Sequence, residues 1–352
     1  MSVISQSSGM KSNRPIMITG AAGFIGARFV GSCRELEIPV ISVDALSYFR
    51  SRNEHTGIPF GRVVDKHEVF DWLESELPSL SAIVHLGACT DTTEMDTVYL
   101  KENNLEYSKR LWTYAVEEQI PFIYASSAAT YGNGSQGYND EESLIPALRP
   151  LNPYGQSKQD FDLWVLEQER LRNSPSVWSG FKFFNVYGFG ERHKRNMASV
   201  VLHAFDQIQL SGKVKLFRSY RPDIEHGHQK RDFVYVEDVT DALHFALQKP
   251  LRRGIFNLGS GTARTFMDLA RCVFRELDKP ERIEFIDMPE EIRERYQYHT
   301  EARMDRLRQE GYLTPFSSLE QGIRLYVQHL LKGAYQSQSV PTDRTPQRES
   351  RR

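Results

Sequence analysis

The chain has few cysteines, no long apolar run and almost no charge imbalance, and each shortage excludes a class of protein. Its three cysteines, Cys33, Cys89 and Cys272, lie far apart with no CxxC pair. That spacing offers no metal-binding set, and no metal is expected. An odd count also argues against a secreted disulfide framework and for a reducing compartment. No stretch of ~18 apolar residues occurs, so no membrane-spanning helix is expected. The opening MSVISQSSGMKSNR lacks the apolar centre of a secretory signal. A formal net charge of −2 gives no reason to expect nucleic acid or a membrane as partner. The sequence therefore reads as a soluble, cytoplasmic protein.

What is present is ordinary globular composition, 40% apolar and 26% charged over 352 residues. Short apolar runs, PIMITG (15–20), PVISVDA (39–45), SAIVHLGA (81–88), PFIYASS (121–127) and GFKFFNV (180–186), alternate with segments of helical period. Phe24 to Leu36 is one such segment, and Asn103 to Glu118 is another. Strand then helix, with continuously apolar strands, predicts an α/β fold with a doubly wound parallel sheet of the Rossmann type. Residues 15–186 are assigned to this dinucleotide-binding domain, with return segments near 230–247. Residues 187–333 are assigned mainly to a smaller, interleaved substrate lobe. Residues 1–14 and 334–352 are polar and read as disordered tails.

Two constellations carry chemistry. Gly20, Gly23 and Gly26 open the Phe24 helix directly after the strand IMIT. Glycine there lets backbone amides approach a pyrophosphate, and the helix N-terminus adds partial positive charge. Asp44 ends the second strand, where a carboxylate accepts hydrogen bonds from a ribose; Arg50 and Arg52 just beyond it could instead pair with a 2′-phosphate. NAD and NADP both stay open on these residues. The second constellation is SSAATYG (126–132) followed by YGQSK (154–158). Tyr154 and Lys158, four apart, share a helix face. The Lys158 ammonium and a positive nicotinamide would favour phenolate at Tyr154, making it a base, while Ser127 holds the same substrate oxygen.

Together these motifs resemble the extended short-chain dehydrogenase/reductases that act on nucleotide sugars. Four stretches narrow the likeness: HLGACTDTTEMD (85–96), PLNPYGQSKQDFD (150–162), FFNVYGFGERHKRNMASVV (183–201) and KRDFVYVEDV (230–239). They resemble the ADP-L-glycero-D-manno-heptose 6-epimerases of lipopolysaccharide precursor synthesis. The likeness runs from about Ile16 to Leu330 and breaks at 45–65 and 218–229.

The resemblance implies two bases, Tyr154 and Lys194, and epimerisation at carbon 6 through a transient 6-ketone with a tightly bound NADP or NAD, NADP being the family's usual choice. It implies cofactor contacts from Phe24, Ile25, Asp44, Leu86, Gly87, Ala88, Cys89, Thr90, Asn103, Lys158 and His193. It places Ser127, Asn185, Arg195, His203, Phe217, Arg218, Ser219, Tyr220, Arg231 and Tyr296 at a nucleotide sugar, with a homo-oligomer expected. Two enzymatic rivals use the same fold. A 4,6-dehydratase needs an acid–base pair where this chain has Ala128 and Ala129. A UDP-sugar 4-epimerase and a non-catalytic cofactor sensor are the remaining alternatives.

Overall fold

The computed structural model describes residues 13–338 apart from Pro250, Arg252, Glu294 and Arg295. Seven strands form the central sheet: β1 (Ile16–Thr19), β2 (Val40–Asp44), β3 (Arg62–Asp65), β4 (Ala82–His85), β5 (Phe122–Ser127), β6 (Trp178–Phe183) and, later in the chain, β10 (Gly254–Leu258). Their order is β10-β6-β5-β4-β1-β2-β3, and every pairing is parallel. All four residues of β1 and of β4 are buried, as strands covered on both faces require. The order reverses between β1 and β4. Crevices that bind ligands open at the carboxyl ends of strands at such a reversal.

The smaller lobe has its own sheets and core. β7 (Asn185–Tyr187), β9 (Lys230–Tyr235) and β11 (Ala263–Thr265) form one sheet; β8 (Val214–Phe217) pairs in parallel with β12 (Ile283–Ile286). Helices Val200–Ser211, Phe266–Glu276 and Leu319–Gln338 pack beside them. Ser199 and Thr265 cap the first two by accepting backbone N–H bonds, Thr265 within a reciprocal pair with Asp268. Phe205, Phe274, Ile323 and Val327 are buried together in the second core, each contributing ~1.5–3 kcal/mol of burial. Phe24 joins that core, and Ile25 packs against both cores. The first turn of helix Phe24–Glu35 therefore marks the seam between the two halves.

Three sequence expectations shift. β3 lies in the stretch where the family likeness breaks, and its exposed outer residues hid it. GIFNLGSG, assigned to the small lobe, supplies β10 on the edge of the main sheet, because all five of its strand residues are apolar enough or hydrogen-bonded enough to be buried there. The return to the large domain therefore runs through helix Val236–Gln248 and β10, while 230–235 belongs to the small sheet. Of the expected tails, residues 1–12 and 339–352 lie outside the described residues; the last helix extends to Gln338, past the expected boundary at 334. Among the described residues, no helix is long and apolar enough to cross a membrane.

Candidate active site

The glycine turn sits at the strand-order reversal. Gly20 has φ +67°, and a Cβ there would lie 2.6 Å from the amide nitrogen of Gly87. A Cβ on Gly26 would lie 2.1 Å from the Gly20 carbonyl oxygen. A side chain at Gly20 would prise apart the turns after β1 and β4, and one at Gly26 would push the helix off the turn after β1. Gly87 N–H donates to Thr19 Oγ1 at 3.2 Å, and Leu86 N–H donates to Thr19 O at 3.1 Å. The next turn residue is held by a residue that the sequence reading missed. Asn104, 1% exposed, accepts from Cys89 N–H at 2.8 Å and donates to Cys89 O and Ser157 Oγ. Its neighbour Asn103 is half-buried and gives its carboxamide N–H to Tyr99 O. Ala88 is half-buried and Thr90 exposed beside them.

Asp44, at the end of β2, accepts from Ala22 N–H at 3.1 Å and Ala45 N–H at 2.9 Å. Burial raises its carboxyl, opposed by these amides and by Arg52. Arg52 donates to Ala22 O and lies 3.9 Å over the ring of Tyr48. The glycine cradle, helix N-terminus and acidic strand end fit an adenine dinucleotide, with open backbone where the pyrophosphate would lie and a carboxylate where the ribose would lie.

Ser127 ends β5, and Tyr154 and Lys158 come from helix Pro153–Arg170. That helix starts where it does because Asn152 caps it, accepting from Gly155 N–H at 2.7 Å, with proline in the first helical position. The cap sets Tyr154 in the first turn and Lys158 one turn later. Tyr154 is buried and hydrogen-bonded to Ser127. Lys158 donates to Ala125 O at 2.9 Å. Burial lowers Lys158 from 10.5 to about 8. Burial also raises the Tyr154 phenol, while the Ser127 hydrogen bond opposes it. The depressed phenol expected from sequence is therefore not a property of the polypeptide alone; that expectation adds a nicotinamide charge. Asn104, bonded to both Cys89 and Ser157, ties the 86–90 turn to the helix that carries Tyr154 and Lys158.

Behind this group lies a floor that the sequence did not reveal. Lys182 and Asp162, both fully buried, pair at 2.5 Å. Lys182 also donates to Thr130 Oγ1 at 2.7 Å, and Asp162 accepts from Ser126 at 2.7 Å and Tyr124 at 3.0 Å. Thr130 in turn donates to Ser127 O at 2.8 Å. The i+4 step from Lys158 to Asp162 was the only available signal.

The opposing wall comes from the small lobe. Lys194 lies on the turn Arg192–Met197, its ammonium 5.4 Å from the ring centre of Phe24. Burial lowers its pKa, and Glu191 opposes this. Glu191, fully buried, accepts from Ser199 Oγ at 2.6 Å and Ser199 N–H at 2.7 Å, which fixes the turn from beneath. Arg195 is exposed at φ 49°, and His203 lies 3.4 Å from Asn196 O. His193 contacts Glu54 at 2.8 Å.

Farther out, Arg231 is 7% exposed and lies 5.0 Å over Tyr296 and 5.6 Å over Phe266. Its neighbour Asp232 is taken up by Ser260, Gly261 and Ala302. Phe217 meets Tyr296 edge-on, Arg218 and Tyr220 share Asp287, and Ser219 N–H donates to His226. Asn185 is exposed on β7.

A family model described as the NAD dependent epimerase/dehydratase family matches residues 16–259. An ADP-L-glycero-D-manno-heptose-6-epimerase of Fusobacterium nucleatum is 44% identical over 330 residues, covering 90% of this chain and 98% of that one. The crystal structure of the Helicobacter pylori enzyme of the same name superposes with a TM-score of 0.74 at 26% identity, covering 92% of this chain and 98% of that one. A Thermus thermophilus UDP-glucose 4-epimerase in complex with NAD superposes with a TM-score of 0.72 at 25% identity, covering 90% and 99%.

Proposed function

We propose that this chain, which belongs to the NAD dependent epimerase/dehydratase family, is an ADP-L-glycero-D-manno-heptose 6-epimerase. The observation that supports this reading is that buried Tyr154, beside Ser127 and one turn from Lys158, comes from the sheet domain, while Lys194 from the small lobe lies over Phe24, the first residue of the helix after the glycine turn. A nicotinamide cofactor, held by the Gly20–Gly26 turn, Asp44 and Lys158, would supply reversible hydride transfer at carbon 6. Tyr154 and Lys194 take and return the hydroxyl proton on the two faces. Ser127 donates to the oxygen that becomes the ketone. Lys158, one helical turn from Tyr154, favours the phenolate electrostatically and holds the ribose end of the cofactor. Arg231, buried on aromatic faces and bonded to no carboxylate among the described residues, suits a diphosphate through its planar fork. Tyr296, which lies against it, and Phe217, edge-on to Tyr296, suit the nucleoside.

NADP is the finer cofactor reading, supported by the Arg52 guanidinium beside Asp44. Asp44 itself favours NAD as the second reading, since a carboxylate accepts a 2′-hydroxyl and repels a phosphate. Titrating both cofactors against wild type and Arg52→Ala separates them: NADP binding should weaken more than NAD binding. For the reaction, the protein is incubated separately with an ADP-glycero-manno-heptose and with UDP-galactose and followed by NMR. The 6-epimer should appear from the heptose alone; conversion of UDP-galactose alone would replace this reading with the 4-epimerase.

A further inference from the structure

The loop after β2 departs most from the family likeness, and it brings a second polar group to the seam. One turn, Asn53–His55, lies against the turn that carries Lys194. Glu54 Oε1 accepts the backbone N–H of His193 at 2.7 Å and lies 2.8 Å from His193 Nδ1. His55 meets the His193 ring edge-on, with centroids 5.4 Å apart. His55 is only 4% exposed, and neither of its ring nitrogens has a hydrogen-bond partner. Buried polar atoms are rarely left so. One donor atom from each of the three residues lies within 4.8 Å of the other two.

We propose that Glu54, His55 and His193 bind one divalent cation of the zinc type, which ties the turn after β2 to the turn bearing Lys194. Two imidazoles and a carboxylate are a donor set that zinc favours, with a fourth position left for water. Bonds of ~2.0–2.1 Å in a tetrahedron set the ligand atoms ~3.3 Å apart. The observed 2.8 Å contact and the 4.8 Å limit bracket that spacing, so side-chain adjustments suffice. Arg52 and Arg192 are nearby cations that oppose a metal; the Arg52 guanidinium is turned to Ala22 O and the Tyr48 face, and Arg192 is paired with Asp206.

The test is independent of the epimerase reading because it reads metal binding. Protein purified with its cofactor and treated with EDTA is titrated with zinc chloride by calorimetry near neutral pH. One equivalent should bind, and zinc should raise the thermal midpoint. Even a supporting contact to a metal ligand is worth ~10–100-fold in affinity, so Glu54→Gln and His55→Asn should each weaken binding at least ~10-fold. Cobalt in the same site should give the visible absorption of a four-coordinate centre, lost in Glu54→Gln. Circular dichroism checks folding, and should His55→Asn not fold, the isosteric Glu54→Gln decides alone. No saturable zinc binding, or binding unchanged in Glu54→Gln, overturns the proposal.

Discussion

On the sheet side of the crevice, Ser127, Tyr154 and Lys158 are backed by fully buried partners. Lys158 is fastened to Ala125 O, and Ser127 is fastened through Thr130 to the Lys182–Asp162 pair. On the lobe side, Lys194 and Arg195 stand on a single turn held mainly by Glu191, with Arg195 exposed at positive φ, and His203 follows in the next helix. Arg218 and Tyr220 lean on one exposed aspartate. In the proposed reaction both Tyr154 and Lys194 meet one carbon, but only Tyr154 belongs to a group backed by a buried ion pair, while Lys194 relies on the Glu191–Ser199 contacts beneath its turn.

The largest expected effect tests the fixed wall. Tyr154→Phe should lower turnover ~10²–10⁴-fold while the cofactor stays bound, as general acid–base groups of this kind contribute. Turnover followed by NMR beside cofactor absorbance checks it. The floor should matter to folding almost as much. Asp162→Asn leaves the Lys182 ammonium buried without its carboxylate and should cost ~3–5 kcal/mol in denaturant unfolding. A loss under 1 kcal/mol would mean that the two walls are equally loose, and the comparison would fail.

The adaptable wall should respond less. Arg231→Lys loses the planar fork and should raise KM for the nucleotide sugar ~10-fold with kcat little changed. An equal fall in kcat would show that this wall also aligns the reacting carbon. The last test is a pH slope. Lys158 falls from 10.5 unfolded to about 8 folded, so between those values the unfolded chain holds more protons. Stability should therefore rise with pH across that window relative to Lys158→Met, by at most ~1.4 kcal/mol per pH unit because one proton is involved.

Much of the fixed wall was legible in the sequence, because local signals specify it. A strand, three glycines and a capped helix place Gly20, Asp44, Ser127, Tyr154 and Lys158 by periodicity and motif. The floor was not legible, since Lys182 reads as one cation in an apolar run and only tertiary packing puts it on Asp162. The Glu54–His55–His193 cluster was hidden for a similar reason: the partners lie far apart in sequence, in a loop with no periodicity. Asn103 and Asn104 show the limit of motif reading, because neighbours on a helix face opposite ways and the motif does not say which side chain turns inward. GIFNLGSG was placed in the wrong half because a five-residue apolar run does not reveal which sheet it joins.

Gly20, Gly26 and Gly87 are threaded through one another so closely that a single added carbon at Gly20 or Gly26 collides with main chain. The phosphate end of the crevice consequently has no side chains to vary. Redesign of coenzyme preference has to work through residues 45–58, and there Glu54 also holds His193 on the Lys194 turn, so a transplanted loop has to keep that contact to leave the far wall of the crevice in place.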